Sequence, residues 1–151
     1  MKAIVAVVLV SVILLFGSKM KLVDSSSQEW AGGIYESGYG TNYKITLIAK
    51  AGSDKLQVNE LWIGQDYFKI NAMRNLAKRS DLSFARKDTV YVVSSINFKP
   101  GRDGKMEQVK LMRKEPPVDF NGDALLGYTW KGKKKFLEIT SFRKLEKLIF
   151  P

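Results

Sequence analysis

Alternation with a period of two runs through most of this chain, and it limits the possible folds more than any other feature. Thr89–Phe98 (TVYVVSSINF) is crowded with β-branched and aromatic residues, which suit a pleated, half-buried surface. Upstream, Tyr43, Ile45, Leu47 and Ala49 alternate with Lys44 and Thr46, the pattern of a strand with one apolar face. Ala51–Asp54 is a turn of the right length for a hairpin, and Leu56 and Val58 resume the alternation. At Glu60–Ile63 the apolar phase slips by one, which calls for a bulge near Asn59–Glu60 or a strand buried on both faces.

Beyond the turn Gly64–Asp66, Tyr67–Met73 reads as a fourth strand with Phe68, Ile70 and Ala72 on one side. Arg74–Ser80 fits either one helical turn or a loop, and Leu82–Phe84 alternates again before the polar turn Ala85–Asp88. Lys99–Gly104 holds Pro-Gly and Asp-Gly turn pairs, and Met106–Arg113 reads as the returning strand with Val109 and Leu111 inward. Pro116-Pro117 marks a crossover or an edge. Ala124–Trp130 places Ala124, Leu126, Tyr128 and Trp130 on one face, Lys135–Phe142 returns, and Leu145, Leu148 and Phe150 fit a last short strand. With no long helical pattern, the expected fold is all-β: an antiparallel meander of about eight or nine short strands, forming a small barrel or a sandwich.

Ahead of this lies Ala3–Phe16 (AIVAVVLVSVILLF), fourteen uncharged residues behind Lys2. As a helix it would span roughly 21 Å, less than the ~30 Å hydrocarbon core of a bilayer. That is the shape of a secretory h-region, so an N-terminal apolar helix is expected, as signal peptide or retained anchor. Lys19 and Lys21 put more positive charge after the run than before it, which by the positive-inside tendency argues against ordinary export, whereas the run's length fits a cleaved signal. A cytoplasmic protein with a buried N-terminal strand or helix is the third reading. The expected division is residues 1–27 as leader or anchor with a short linker, and 28–151 as one β domain. Export to a periplasm or cell envelope of bacterial type follows, whether the domain is released or stays anchored outside the cytoplasm.

The chain contains neither cysteine nor histidine. Disulfides, thiol nucleophiles, His-based triads and His- or Cys-ligated zinc are therefore excluded. Carboxylate pairs drawn from Glu36, Glu60, Asp66 and Glu138 remain, as does the Ser-x-x-Lys spacing of Ser141–Lys144, but one sequence shows no convergence among them. Asp119–Asp123 begins like a calcium loop, yet its sixth position is Ala124 and its twelfth is Trp130. No catalytic residue, metal or cofactor is assigned, and a non-enzymatic binding or structural role is expected.

Net charge is +10, which draws the chain toward anionic surfaces. Two stretches carry the candidate binding residues. Trp30–Tyr43 (WAGGIYESGYGTNY) offers Trp30, Tyr35, Tyr39 and Tyr43 among glycines, flat rings that stack on sugars or plug one end of the fold. Lys131, Lys133, Lys134 and Lys135 follow Trp130 in a loop that would meet acidic lipid or polysaccharide, or simply keep a hairpin tip soluble. An anionic membrane surface or polysaccharide is the expected partner, and nucleic acid the least expected one outside a membrane. The alternative is a lipocalin-like barrel carrying a small apolar ligand, with Ile45, Leu47, Ile70, Val92 and Leu111 as its lining.

Overall fold

The computed structural model describes residues 18–151, so the apolar run and the helix expected from it lie outside the described residues. Ten strands follow: β1 (Met20–Ala31), β2 (Tyr39–Ala49), β3 (Leu56–Ile63), β4 (Asp66–Lys69), β5 (Thr89–Pro100), β6 (Met106–Gln108), β7 (Ala124–Trp130), β8 (Lys133–Ile139), β9 (Arg143–Lys144) and β10 (Leu148–Ile149). They form two sheets. One runs β10-β1-β2-β5-β6 with β9 also on β1, and the other runs β4-β3-β7-β8. The fold is all-β, as expected, but no barrel closes.

Nor is it a simple meander. The chain changes sheet between β2 and β3, β4 and β5, β6 and β7, and again between β8 and β9. The last two strands add to β1 in parallel, whereas every other ladder is antiparallel.

One apolar cluster joins the two sheets. Ile45 and Leu47 of β2 and Val90 and Val92 of β5 meet Leu56, Leu61, Leu126 and Ile139 from the second sheet, all eight with no accessible surface. Burying such side chains contributes about 1.5–3 kcal/mol each, which makes this cluster the main source of stability. The residues that would have lined a ligand cavity are part of it: Ile45, Leu47, Ile70 and Val92 are buried, and Leu111 packs against its margin.

A second cluster explains the phase slip in β3. The ladder between β3 and β7 shifts between Val58 and Glu60, and beyond that bulge Leu61, Trp62 and Ile63 are all buried. Leu61 faces the other sheet. Trp62 faces outward, where Tyr67, Leu125, Phe136, Val118 and Phe120 cover it. The cover is the crossover around Pro116-Pro117, fixed by a hydrogen bond from Trp62 Nε1 to the Lys114 carbonyl at 2.8 Å. Both alternatives raised by the phase slip therefore hold together.

The clearest departure is at the start. Residues assigned to a linker up to 27 form most of β1, in the interior of its sheet and paired along its length with β2. MKLVDSSSQEWA hides its strand because Asp and Ser are poor strand formers. Ser25 and Ser26 are nonetheless buried, and the Ser25 hydroxyl donates to the Ser141 carbonyl at 2.7 Å.

Three shorter expectations also change. Leu82–Phe84 pairs with no strand, although Phe84 is buried, its backbone NH bonded to Ser53 Oγ. Tyr67–Met73 pairs as a strand only as far as Lys69, after which one bridge joins Met73 to Tyr91. The strand from Met106 ends at Gln108, leaving Val109 exposed, because the chain departs there to cover Trp62.

Candidate functional site

The two stretches singled out in the sequence belong to different sheets, and Trp30 and Trp130 lie near opposite ends of β1. Trp130 closes β7, and Lys131 and Gly132 form the turn into β8 with φ of 47° and 79°. Two consecutive left-handed residues give the turn that matches the twist of a two-residue hairpin. The same end of the molecule receives the start of β1. Lys19 Nζ sits 4.9 Å from the centre of the Trp130 ring and Lys131 Nζ 5.1 Å from it. Such cation–π contacts are worth roughly 0.5–1 kcal/mol each when exposed.

Backbone hydrogen bonds gather further cations here. Lys50 NH donates to the Lys19 carbonyl, Lys131 NH to the Lys55 carbonyl, and Lys87 NH to the Ala49 carbonyl. With Lys133, which pairs with Trp130 across the hairpin, six lysines share this end. The carboxylates among the same turns are Asp54 and Asp88.

Lys134 and Lys135 do not extend the cluster in one direction. Strand alternation turns Lys134 to the outer face of its sheet, 3.7 Å from Glu60, a carboxylate that Lys114 also binds at 2.7 Å. Hydrogen bonding and charge from Glu60 hold the Lys114 ammonium above its usual range, while burial pushes the neighbouring Tyr67 hydroxyl up. Lys135 lies opposite Tyr128 and is half-buried.

The aromatic stretch occupies the other end of β1. At about 3.3 Å per residue, Met20 and Trp30 stand roughly 33 Å apart. Trp30 sits edge-on to Phe150 at 6.3 Å, and Tyr39 stacks on Phe98 at 5.0 Å. Tyr35 lies in a short 3₁₀ turn, Tyr35–Ser37, and donates its hydroxyl to the Gly104 carbonyl.

Gly40 stands between Trp30 and Asn97 in the ladder, and Trp30 Nε1 donates across it to Asn97 Oδ1 at 3.3 Å. A Cβ on Gly40 would come within 2.5 Å of the Ile96 carbonyl and 2.9 Å of Trp30 Nε1. Glycine is therefore required by close approach rather than by a turn. Tyr43 does not join this end. It packs edge-on against Phe142 at 4.9 Å beside the core, and burial raises its hydroxyl.

Three of the four acids named as catalytic candidates, Glu60, Asp66 and Glu138, have structural partners, and Glu36 is exposed in the short turn Tyr35–Ser37. Glu138 Oε1 accepts the backbone NH groups of Asn121 and Gly122, which ties the 119–123 turn to β8. Asp66 Oδ1 accepts from Gln108 Nε2 at 3.1 Å. Among the described residues no three acids gather as a metal site would require.

One further feature takes only Asn42 and Tyr43 from the stretches singled out in the sequence. A groove of about 480 Å³ lies on the outer face of the first sheet, floored by β1, β2 and β5 and flanked by Arg79 and Leu145. Its residues come from segments distant in sequence, and two of them, Ser26 and Arg79, sit in the supposed linker and in the ambiguous 74–80 loop.

These features define a two-sheet β domain with one basic end, one aromatic end and a polar groove between them. No family model, curated protein or solved structure matches the chain.

Proposed function

We propose that the chain is a non-enzymatic binding domain of a cell envelope, held outside the cytoplasm with its basic end against anionic lipid headgroups. The observation that carries this is the contact of Lys19 with Trp130. Lys19 is the third residue after Phe16, so the apolar run leaves the domain at the end where the lysines collect.

An anchored run would thereby bring Trp130 and Lys131 to the bilayer surface, where indole rings and ammonium groups are both favoured. Near an acidic surface each lysine contributes about 1 kcal/mol, so six lysines against two carboxylates supply on the order of 4 kcal/mol. That is marginal alone and effective beside a second anchoring element. Only Lys2 among the charged residues precedes Ser18, which leaves the domain at +9.

If the leader is instead cleaved, the cut must fall before Met20, because Met20 is 2% exposed and opens the ladder with β2. A released domain would keep the same basic end.

Flotation of the chain from Ser18 onward with vesicles tests the headgroup contact. Phosphatidylglycerol vesicles should carry the domain at low salt and lose it at high salt, with phosphatidylcholine vesicles carrying none. Equal recovery on both, or on neither, rejects the proposal. Fractionation of cells expressing the full chain tests the compartment separately, and a cytoplasmic pool of uncut chain would contradict it.

A further inference from the structure

The groove on the outer face of the first sheet is lined differently from the rest of the surface. Two register rows cross its floor, Ser26–Lys44–Val93 and Gln28–Asn42–Ser95. Five of these six side chains are hydroxyl, amide or ammonium groups. On the second sheet the corresponding outer face holds Trp62 and Leu125 and is covered. Here the sheet is left open, walled by Arg79 on one side and Leu145 on the other.

No carboxylate lines the groove, and Lys44 and Arg79 form no ion pair among the described residues. On the same face of β1, two residues before Ser26, Asp24 is bound by Arg143 at 3.0 Å; this bond, with a smaller contribution from the charge of Lys44, holds its carboxyl below the usual range. Both groove cations thus remain available to a ligand.

Part of the polar lining is already oriented. Gln28 Nε2 donates to the Glu146 carbonyl at 2.8 Å, which leaves Oε1 as an acceptor. Ser95 Oγ accepts from Asn97 Nδ2 at 3.2 Å, which leaves its own proton to donate. Fixed donors and acceptors side by side suit sugar hydroxyls, which do both. Val93 and Leu145 add aliphatic surface for ring C–H groups, and two cations add a demand for negative charge.

We infer that this groove binds an anionic saccharide, a sugar ring carrying a carboxylate or phosphate, with Lys44 and Arg79 holding the charge and Gln28, Asn42 and Ser95 the hydroxyls. The volume accommodates one to three rings at ordinary ligand-site scale. This site is separate from the lysine-rich end and stands whether or not that end meets a membrane.

Isothermal titration of the full chain in zwitterionic detergent tests it with three probes: a galacturonic acid trimer, glucose 6-phosphate and neutral maltotriose. At least one anionic sugar should bind with Kd below about 1 mM while maltotriose does not. The tighter of the two assigns the charged group as carboxylate or phosphate. The double variant Lys44→Gln/Arg79→Gln should weaken binding about tenfold or more, and Asn42→Ala should weaken it in the same direction. Neither cation has a structural ion pair among the described residues, so the double variant should melt like the parent. Lys131→Gln should leave the affinity unchanged. Equal binding of neutral and anionic sugars, no binding of any, or an affinity unaffected by the double variant would overturn the inference.

Discussion

Removing residues 1–27 should unfold this protein, and removing residues 1–17 should not. The longer deletion takes away Met20–Ser27, and with it seven register pairs between β1 and β2. At about one ladder hydrogen bond per pair and a net 0.5–1.5 kcal/mol each, the loss is roughly 3.5–10 kcal/mol. Removing Met20, which is 2% exposed, takes a further ~2 kcal/mol of apolar burial. The cut also uncovers one edge of β2, with Ile45 and Leu47 behind it, and removes the Ser25 hydroxyl from the Ser141 carbonyl. A domain of this size holds only about 5–15 kcal/mol in total, so the truncated chain should have no cooperative transition.

Circular dichroism melts and amide proton dispersion of the two truncations decide the matter. The chain from Ser18 should melt sharply with dispersed amides, and the chain from Gln28 should show neither. A Gln28 chain that melts cooperatively near the temperature of the Ser18 chain would refute the claim that β1 is integral to the domain.

Further outcomes follow from single side chains. Trp62→Ala should cost about 3–5 kcal/mol, because the ring has no exposed surface and its NH holds the Lys114 carbonyl. Cleavage by trypsin near Arg113 and Lys114 should accelerate with it. Ser94 Oγ is the one buried side-chain polar atom among the described residues without a partner, so Ser94→Ala should leave the melting temperature unchanged or raise it, by up to about 1 kcal/mol in stability. Gly40→Ala should destabilise by roughly 1–3 kcal/mol and shift Trp30 fluorescence, since the added Cβ meets backbone as well as the indole.

Asp24, lowered by its hydrogen bond to Arg143, adds stability that is present above its unfolded pKa and lost as pH falls through the lower folded value. Asp24→Asn should therefore flatten the acid limb of the stability profile below about pH 4. Tyr67, raised by burial, works the other way. Its contribution is intact below about pH 10 and lost as pH rises through the higher folded value, which absorbance of the tyrosinate will follow.

Strands whose side chains alternate visibly were legible in the sequence: β2, β5 and β7 stand within a few residues of their expected places. The bulge in β3 was legible too, because the phase slip at Glu60 records a change from one buried face to two. β1 was hidden, since its burial depends on neighbours that the sequence does not display, and Ser25 and Ser26 become interior residues only through β2 and the Ser141 carbonyl. Parallel addition of β9 and β10 was equally hidden, being a pairing across more than a hundred residues. The lysine-rich hairpin and the aromatic stretch were each visible as local compositions, but their separation by the length of β1 was not. The groove is a product of register alone.

The most direct test of the proposed orientation is paramagnetic broadening of the chain from Ser18 on phosphatidylglycerol vesicles carrying a headgroup spin label. Resonances of Lys19, Trp130 and Lys131 should broaden first, while those of Tyr39 and Phe98, roughly 30 Å away along β1, keep their width. Broadening that begins at Tyr39 and Phe98, or spreads evenly over both ends, would contradict a membrane-facing basic end.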